Sequence, residues 1–389
     1  MRHQIPIKMA YVGGDDLSLR LPIIKLLRSS GYDVCGVGPS AKEKELFRIN
    51  DVPYEIYPLK RSFGLFSEIL SFMRLYQVFK KNRYTIVHAF DTKPTILARI
   101  AARFAGVPLI IGTIPGMGSI FSEDNRTNNI LAKVYRLGQK AACGVSDITI
   151  FQNTDDMAFF TVNKMVHSSK AALIKGSGVD VNAFSPEIIR DTDLRQLEAE
   201  LGSRRHEIKV FMISRLLRYK GIQEYLEASR IVRERRNDVA FYLAGPEDKS
   251  MYSFPLEKVN EYKDTVKYLG PRNDIPQILR LADIVVLPTY YREGIPRILL
   301  EAACFEKPIV TTDVPGCREV VEDGINGYLV PPKNPYSLAD ALDKLISHEE
   351  IRKSMGQKSR EKVMREFSLD LVYKESLKLY QNLLNHTDN

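Results

Sequence analysis

Asp283-Ile-Val-Val-Leu-Pro-Thr-Tyr-Tyr-Arg-Glu293-Gly-Ile-Pro-Arg-Ile-Leu-Leu-Glu301-Ala-Ala sets the reading of everything around it. Asp283–Pro288 is a short β-branched apolar run of the kind that forms a buried strand, and an apolar-periodic helix follows it. Pro296 stands where a helix accepts proline, in its first turn. Gly294, Ile295 and Pro296 are therefore expected to form a tight strand-to-helix turn, with backbone N–H groups and the positive dipole end facing outward as an anion site. Eight residues of helix separate Glu293 from Glu301, roughly 12 Å on nearly the same face. One carboxylate can meet sugar hydroxyls and the other a ribose. A Glu-x7-Glu spacing alone is weak, since glutamates also enrich helix starts and solvated faces. The neighbours of Glu301 change that: Leu299, Leu300, Ala302 and Ala303 put it in a core or a cleft, where a carboxylate needs a partner.

At 389 residues the chain exceeds one ordinary core and suits two domains. It has no run of 18 apolar residues to span a bilayer, and Met1-Arg-His-Gln-Ile-Pro-Ile-Lys8 lacks a signal peptide's apolar segment, so a cytoplasmic location is expected. Cys35, Cys143, Cys304 and Cys317 are scattered, with no Cys-x-x-Cys and no nearby histidine cluster. They read as reduced packing residues, with neither disulfides nor a metal site indicated. The net charge of +8 is uneven: residues 1–185 carry 24 Lys+Arg against 15 Asp+Glu, or +9, and the remainder 32 against 33, or −1. A basic first half can meet anionic lipid, a phosphorylated substrate or nucleic acid, and no nucleic-acid motif favours the last.

The first half alternates strand and helix signals, with strands expected at Ile7–Val12, Tyr32–Val37, Tyr54–Leu59, Thr85–Phe90, Pro108–Thr113 and Asp147–Phe151. This is the α/β pattern of a parallel sheet with helices on both faces. Gly13-Gly14-Asp15-Asp16 lacks a full dinucleotide fingerprint, which disfavours nicotinamide or flavin, but it allows substrate or phosphate to approach the backbone, and Gly14 is counted among the donor-binding candidates. Lys60–Arg83 interleaves Phe63, Phe66, Ile69, Leu70, Met73 and Phe79 with Lys60, Arg61, Arg74, Lys80, Lys81 and Arg83. Such a helix can lie on an anionic membrane surface or bury one stripe in its own domain. His88, Asp91 and Lys93 follow a strand at the end where open parallel sheets bind ligands, and are acceptor-side candidates, although a lone histidine is commonly a packing residue. Gly112–Phe121, with Gly116 at its centre, reads as an irregular loop lining the same cleft.

Periodicity lapses beyond Asp180, and 186–205 is taken as a linker between an N-terminal domain, 1–185, and a C-terminal one, 206–370. Asp191-Thr-Asp193 has a spacing seen in metal-dependent sugar-transfer enzymes, but no strand precedes it, so no metal role is assigned. Arg215 leaves the strand Ile208–Ile213, and Lys220 follows five residues on at a helix start, so both cations can converge on a diphosphate. Arg272, in Gly270-Pro-Arg-Asn273, is placed for a base. Glu349 to about Leu384 reads as one long helix whose last part, 371–389, crosses back to the first domain.

Several of these stretches together resemble a known family. Arg215…Lys220-Gly221, Glu293-Gly-Ile-Pro-Arg-Ile-Leu-Leu-Glu301-Ala, Pro308-Ile-Val-Thr-Thr-Asp-Val-Pro-Gly-Cys-Arg-Glu319 and Asp323-Gly-Ile-Asn-Gly-Tyr-Leu-Val330 are similar to motifs of the retaining glycosyltransferases of the GT-B fold, family four. The likeness is greatest to bacterial enzymes that extend lipid-linked oligosaccharides. It implies two Rossmann-like domains facing across a cleft, a nucleoside-diphosphate sugar, with UDP the expected carrier, in the C-terminal one, and a saccharide acceptor on the N-terminal one. By this resemblance Arg215 and Lys220 neutralise the leaving diphosphate without a metal or cofactor, and Glu293 binds donor-sugar hydroxyls. Gly294, Ile295, Pro296, Arg297 and Ile298 present backbone to sugar and phosphate, Glu301 holds the ribose, and Arg272 lies by the base. One departure is Thr113-Ile-Pro115-Gly116, where many relatives have a histidine in place of Pro115. That role is then absent, or supplied by another group such as His88 or Asp91. The expected function is transfer of a hexose or N-acetylhexosamine to a polyprenyl-diphosphate-linked saccharide in surface polysaccharide assembly, at the inner face of the membrane. Alternatives are a nucleotide-sugar epimerase of similar shape and a non-catalytic sugar-nucleotide-binding protein.

Overall fold

The computed structural model describes residues 6–60, 64–118, 121, 126–202, 204 and 206–387. They form two compact units, one of residues 1–178 with 369–389 and the other of residues 179–368. The first unit holds β1 (Ile7–Val12), α1 (Leu21–Ser29), β2 (Tyr32–Gly38), α2 (Ala41–Ile49), β3 (Tyr54–Ile56), α3 (Leu65–Asn82), β4 (Ile86–Ala89), α4 (Pro94–Ala105), β5 (Leu109–Ile114), α5 (Arg126–Val145), β6 (Ile148–Phe151), α6 (Thr154–Val162) and β7 (Ala171–Leu173). Its strands form one sheet in the order β3-β2-β1-β4-β5-β6-β7, parallel at every pairing. The parallel sheet follows from sequence: near-continuous apolar runs such as Met9–Val12 and Leu109–Ile114 are buried on both faces and need helices over each.

The second unit contains α7 (Asp191–Leu201), β8 (Ile208–Ile213), α8 (Ile222–Arg235), β9 (Val239–Ala244), α9 (Leu256–Asn260), β10 (Val266–Tyr268), α10 (Ile275–Leu281), β11 (Ile284–Leu287), α11 (Arg297–Cys304), β12 (Ile309–Thr312), α12 (Cys317–Val320), β13 (Gly327–Val330), α13 (Pro335–Ser347) and α14 (Glu349–Glu366). Its sheet runs β10-β9-β8-β11-β12-β13, again parallel throughout. The last helix, α15 (Leu369–Thr387), belongs to the first unit, where Val372 and Tyr380 join the core of β1, β4 and α1. Short polar residues start several helices: Asn153 Oδ1 accepts from Asp156 N at 2.8 Å, and Asn334 Oδ1 from Ser337 N at 3.0 Å.

Three features differ from the sequence reading. The single final helix is two, broken at Phe367–Ser368 without glycine or proline. Phe367 is fully buried in the second core, and its carbonyl accepts from Val179 N at 3.0 Å, so tertiary packing stops the helix. Residues 186–205 are not merely a connection: α7 lies there, and Leu197 and Leu201 are buried in the second core. Strand β7 has only three residues, too few to show a period. Arg61 and Phe63 of the basic amphipathic stretch, and Ser119 and Ile120 of the loop after β5, lie outside the described residues. All four cysteines are unpaired and buried.

Candidate active site

In the second unit the order of strands reverses between β8 and β11, which are direct neighbours. Open parallel sheets place ligands outside the carboxyl ends of such strands. Lys220, after β8, and Glu293, after β11, meet there: Lys220 Nζ donates to Glu293 Oε1, with the two side chains only 16% and 15% exposed. Thr289 backs this pair. Its Oγ1 lies 3.4 Å from the same carboxylate oxygen, donates to Tyr219 O at 3.0 Å and accepts from Tyr291 N at 3.1 Å. The Tyr291 ring centroid is 5.7 Å from Lys220 Nζ.

Two glycines allow the loops to meet so closely. Gly221 ends the Lys220 turn at φ +76, and a Cβ on it would land on the Pro288 carbonyl oxygen. Gly316, at φ +83, lies against the Gly294 carbonyl in the same way. Thr312 Oγ1 donates to Thr289 O, so the loop after β12 is bound to the loop after β11. Pro296 is the N-cap of α11 rather than a member of its first turn, and the helix starts at Arg297. The strand-to-helix turn thus forms at Gly294–Pro296, with the proline one position earlier than expected.

Glu301 is 9% exposed, and its partner is Arg297, whose Nε donates to Oε1 at 2.7 Å across one helical turn. Burial pushes the Glu301 carboxyl above the usual range, and the neighbouring guanidinium offsets only part of that. Ile298 stands beside Arg297, partly buried against the second core. Arg215 is half exposed and pairs with Asp248 at 3.2 Å. Arg272 holds Asp274 through two hydrogen bonds, at 2.8 and 2.5 Å, and also pairs with Glu200, so its guanidinium is engaged on both sides.

The first unit reverses its strand order between β1 and β4. At those carboxyl ends Gly14 N donates to Asp91 Oδ2 at 2.8 Å, which brings together two residues 77 positions apart. Asp91 holds φ at +68, a conformation that non-glycine residues adopt at some cost and that clusters at functional sites. Lys93 donates to Glu68 Oε1 and to the Lys60 carbonyl, each at 2.8 Å. Gly116 follows β5 at φ +137, beside the fully buried Met117.

His88 takes the packing alternative. It is 2% exposed, with Nδ1 2.8 Å from Tyr380 Oη and Nε2 2.7 Å from Thr113 Oγ1. Tyr380 Oη is in turn 2.7 Å from Tyr11 Oη. Burial first, then Arg20 and Arg99, hold the imidazole pKa well below its usual value, so it is neutral. Both ring nitrogens are engaged within the protein. Sequence reasoning missed Thr289, Asp248 and Tyr380. The first stands in the opening stretch as a polar residue at a strand end, whereas nothing links Tyr380 to a histidine 292 positions earlier.

Comparison with known proteins bears on family and fold. Residues 194–362 match the family described as "Glycosyl transferases group 1", and residues 8–152 match "Glycosyl transferase 4-like". The chain carries a group 1 glycosyl transferase domain and a glycosyl transferase 4-like domain. This glycosyl transferase is 26% identical to the N,N'-diacetylbacillosaminyl-diphospho-undecaprenol alpha-1,3-N-acetylgalactosaminyltransferase of Campylobacter jejuni, over 97% of this chain and 98% of that one. It is 29% identical to the UDP-Gal:alpha-D-GlcNAc-diphosphoundecaprenol alpha-1,3-galactosyltransferase of Escherichia coli, over 80% of this chain and 79% of the other. In fold it is similar to a glycosyltransferase of Rickettsia africae, with TM-score 0.80, 17% identity and coverage of 98% and 99%. HepE of Anabaena, solved in complex with UDP, gives TM-score 0.78 at 18% identity, covering 96% of this chain and 100% of that one. The two Rossmann-like parallel sheets of this glycosyl transferase are those of the GT-B architecture.

Proposed function

We propose that the protein is a retaining, metal-independent hexosyltransferase. It moves a hexose or N-acetylhexosamine from a UDP-sugar to a polyprenyl-diphosphate-linked saccharide during surface polysaccharide assembly. The observation that carries this reading is the Lys220–Glu293 pair at the strand reversal of the second unit, built from motifs that resemble the family's donor site. The names of the Campylobacter and Escherichia relatives support the lipid-linked acceptor, and that of the Escherichia relative supports a UDP-sugar. Such an acceptor puts the work at a membrane surface, as a peripheral protein on the cytoplasmic side.

Lys220 and Arg215 receive the diphosphate, Glu293 takes donor-sugar hydroxyls, and Glu301 takes the ribose. The Gly294–Ile298 turn lies along sugar and phosphate, and Arg272 lies beside the base. As the anomeric C–O bond breaks, its electron pair leaves with the nucleoside diphosphate, where the two cations stabilise it. The acceptor hydroxyl attacks the oxocarbenium-like carbon from the same face, and its proton passes to the departing phosphate oxygen. That order retains configuration without a protein nucleophile. Asp91 and Lys93, with Gly116, hold the acceptor side, and His88 positions β4 and β5 from inside.

Incubation with a UDP-sugar and a short-chain lipid-diphosphate saccharide, with chelator present, tests the whole reading. Glycosylated product of retained anomeric configuration is expected. Full interconversion of the nucleotide sugar without acceptor would instead reveal an epimerase, and unchanged product on Glu293→Ala would leave only a binding role.

A further inference from the structure

Helices α3, α4 and α5 lie side by side in one layer of the first unit. Ring centroids of Phe72 and Phe104 are 5.9 Å apart between α3 and α4, and Gly138 of α5 packs against Ile96 of α4. The inner stripe of α3 and α4 already covers the sheet: Leu75, Val78, Phe79, Ala98 and Ala101 are buried on Val12, Val37 and Val87. The outer face has no such task, yet it is apolar. On α3, Phe66, Ile69 and Met73 recur at helical spacing on the solvent side; Phe104 on α4 and Val134 and Leu137 on α5 continue the face, with Phe66 76% exposed, Phe104 69% and Leu137 70%. An amphipathic surface helix normally turns polar residues outward, whereas these helices carry apolar side chains on the outer side as well as the inner.

The charge carried by the three helices is almost all positive. Lys80, Lys81, Arg103, Lys133 and Lys140 are exposed on the three helices. Their only acidic residue is Glu68, and it is paired with Lys93 at 2.8 Å. A second copy of the chain would oppose like charges across the same apolar patch, whereas an anionic lipid surface satisfies both components. No helix among the described residues is long and apolar enough to cross a membrane, so the contact is one of lying on the surface. The Glu68–Lys93 pair also ties the first turn of α3 to the loop that carries Asp91, which sets the apolar half of α3 beside the acceptor-side residues.

We propose that the outer face of α3, α4 and α5 docks on an anionic phospholipid bilayer, with its apolar side chains among the acyl chains and its lysines and arginine on the head groups. The inference deepens the lipid-linked acceptor reading, but its test uses neither donor nor acceptor, so the two can fail separately.

The test is co-sedimentation of the full chain with phosphatidylcholine vesicles with and without phosphatidylglycerol. Binding is expected only to the anionic vesicles and should weaken as salt is raised. A Phe66→Ser/Met73→Ser/Phe104→Ser variant and a Lys133→Glu/Lys140→Glu variant should each bind at least about tenfold more weakly, given roughly fivefold per basic side chain at such a surface and the lost apolar insertion. Should the triple variant fail to fold, the two charge reversals, at side chains already in solvent, carry the test alone. Equal binding to both kinds of vesicle, wild-type affinity in the α5 variant, or a sedimentation-velocity dimer that the variants dissolve would overturn the proposal.

Discussion

Lys220 and Glu293 hold one another, so removing either leaves its partner's charge in a largely buried place. Lys220→Ala is expected to lower kcat/KM by about tenfold to a hundredfold, the equivalent of a charged hydrogen bond of roughly 1.5–3 kcal/mol. Lys220→Arg should recover little, because a planar fork does not replace a compact ammonium there. Initial rates with UDP-sugar and acceptor check this, and wild-type turnover in Lys220→Ala would remove the residue from the mechanism. Glu301 gives a prediction in pH. Its folded pKa is raised, so the folded protein holds that proton more readily than the unfolded chain does. The associated stability is complete below the ordinary carboxyl value and fades as pH rises through the raised one. Glu301→Gln cannot ionise, and its melting temperature should gain on wild type as pH rises from the ordinary carboxyl value through the raised one. A constant difference across that range would show that the carboxyl is not the titrating group. The need for a partner at Glu301 was legible from its leucine and alanine neighbours. The Lys220–Glu293 contact was legible only indirectly, because 73 residues separate the pair and only parallel-sheet geometry joins them.

At the scale of elements, α15 is bound to its sheet through one polar chain, Tyr11–Tyr380–His88–Thr113. Tyr380→Phe removes the central hydroxyl and leaves buried polar groups unpaired. It should destabilise the protein by about 1–3 kcal/mol and speed amide exchange in α15. Unaltered exchange there would mean that the apolar contacts of Val372 and its neighbours suffice. His88 adds a pH term of the opposite sense to Glu301. Its folded pKa lies below the unfolded value, so its stabilising share is present above that unfolded value and is lost as pH falls toward the folded one. Wild type should therefore lose about 1.4 kcal/mol per pH unit below about pH 6.5 relative to His88→Gln, as measured by denaturant unfolding. Apart from the three-residue β7, the strands of both sheets were legible because buried parallel strands are continuous apolar runs. The break at Phe367–Ser368 was not, since packing of Phe367 into the second core stops the helix and no local sequence signal does.

For the whole molecule, the cores of the two units are built from separate residues, and the chain passes between them twice, at 178–179 and at 368–369. The basic excess falls in the first unit's share of sequence, while the residues proposed for the donor, Gly14 apart, lie in the second. This division was legible in charge and motifs, although α15 could be assigned only by where it packs. A ligand that binds one folded unit stabilises that unit by mass action, by about 2.7 kcal/mol at a hundredfold excess over Kd. UDP-sugar alone should therefore slow amide exchange at Ser214–Gly221, Thr289–Glu301 and Thr312–Cys317 and leave β1–β6 unchanged. Lys220→Ala should abolish that protection while its own exchange pattern elsewhere matches wild type. If protection appeared instead around Asp91 and Lys93, the donor would belong to the first unit and the assignment of the two sheets would be reversed.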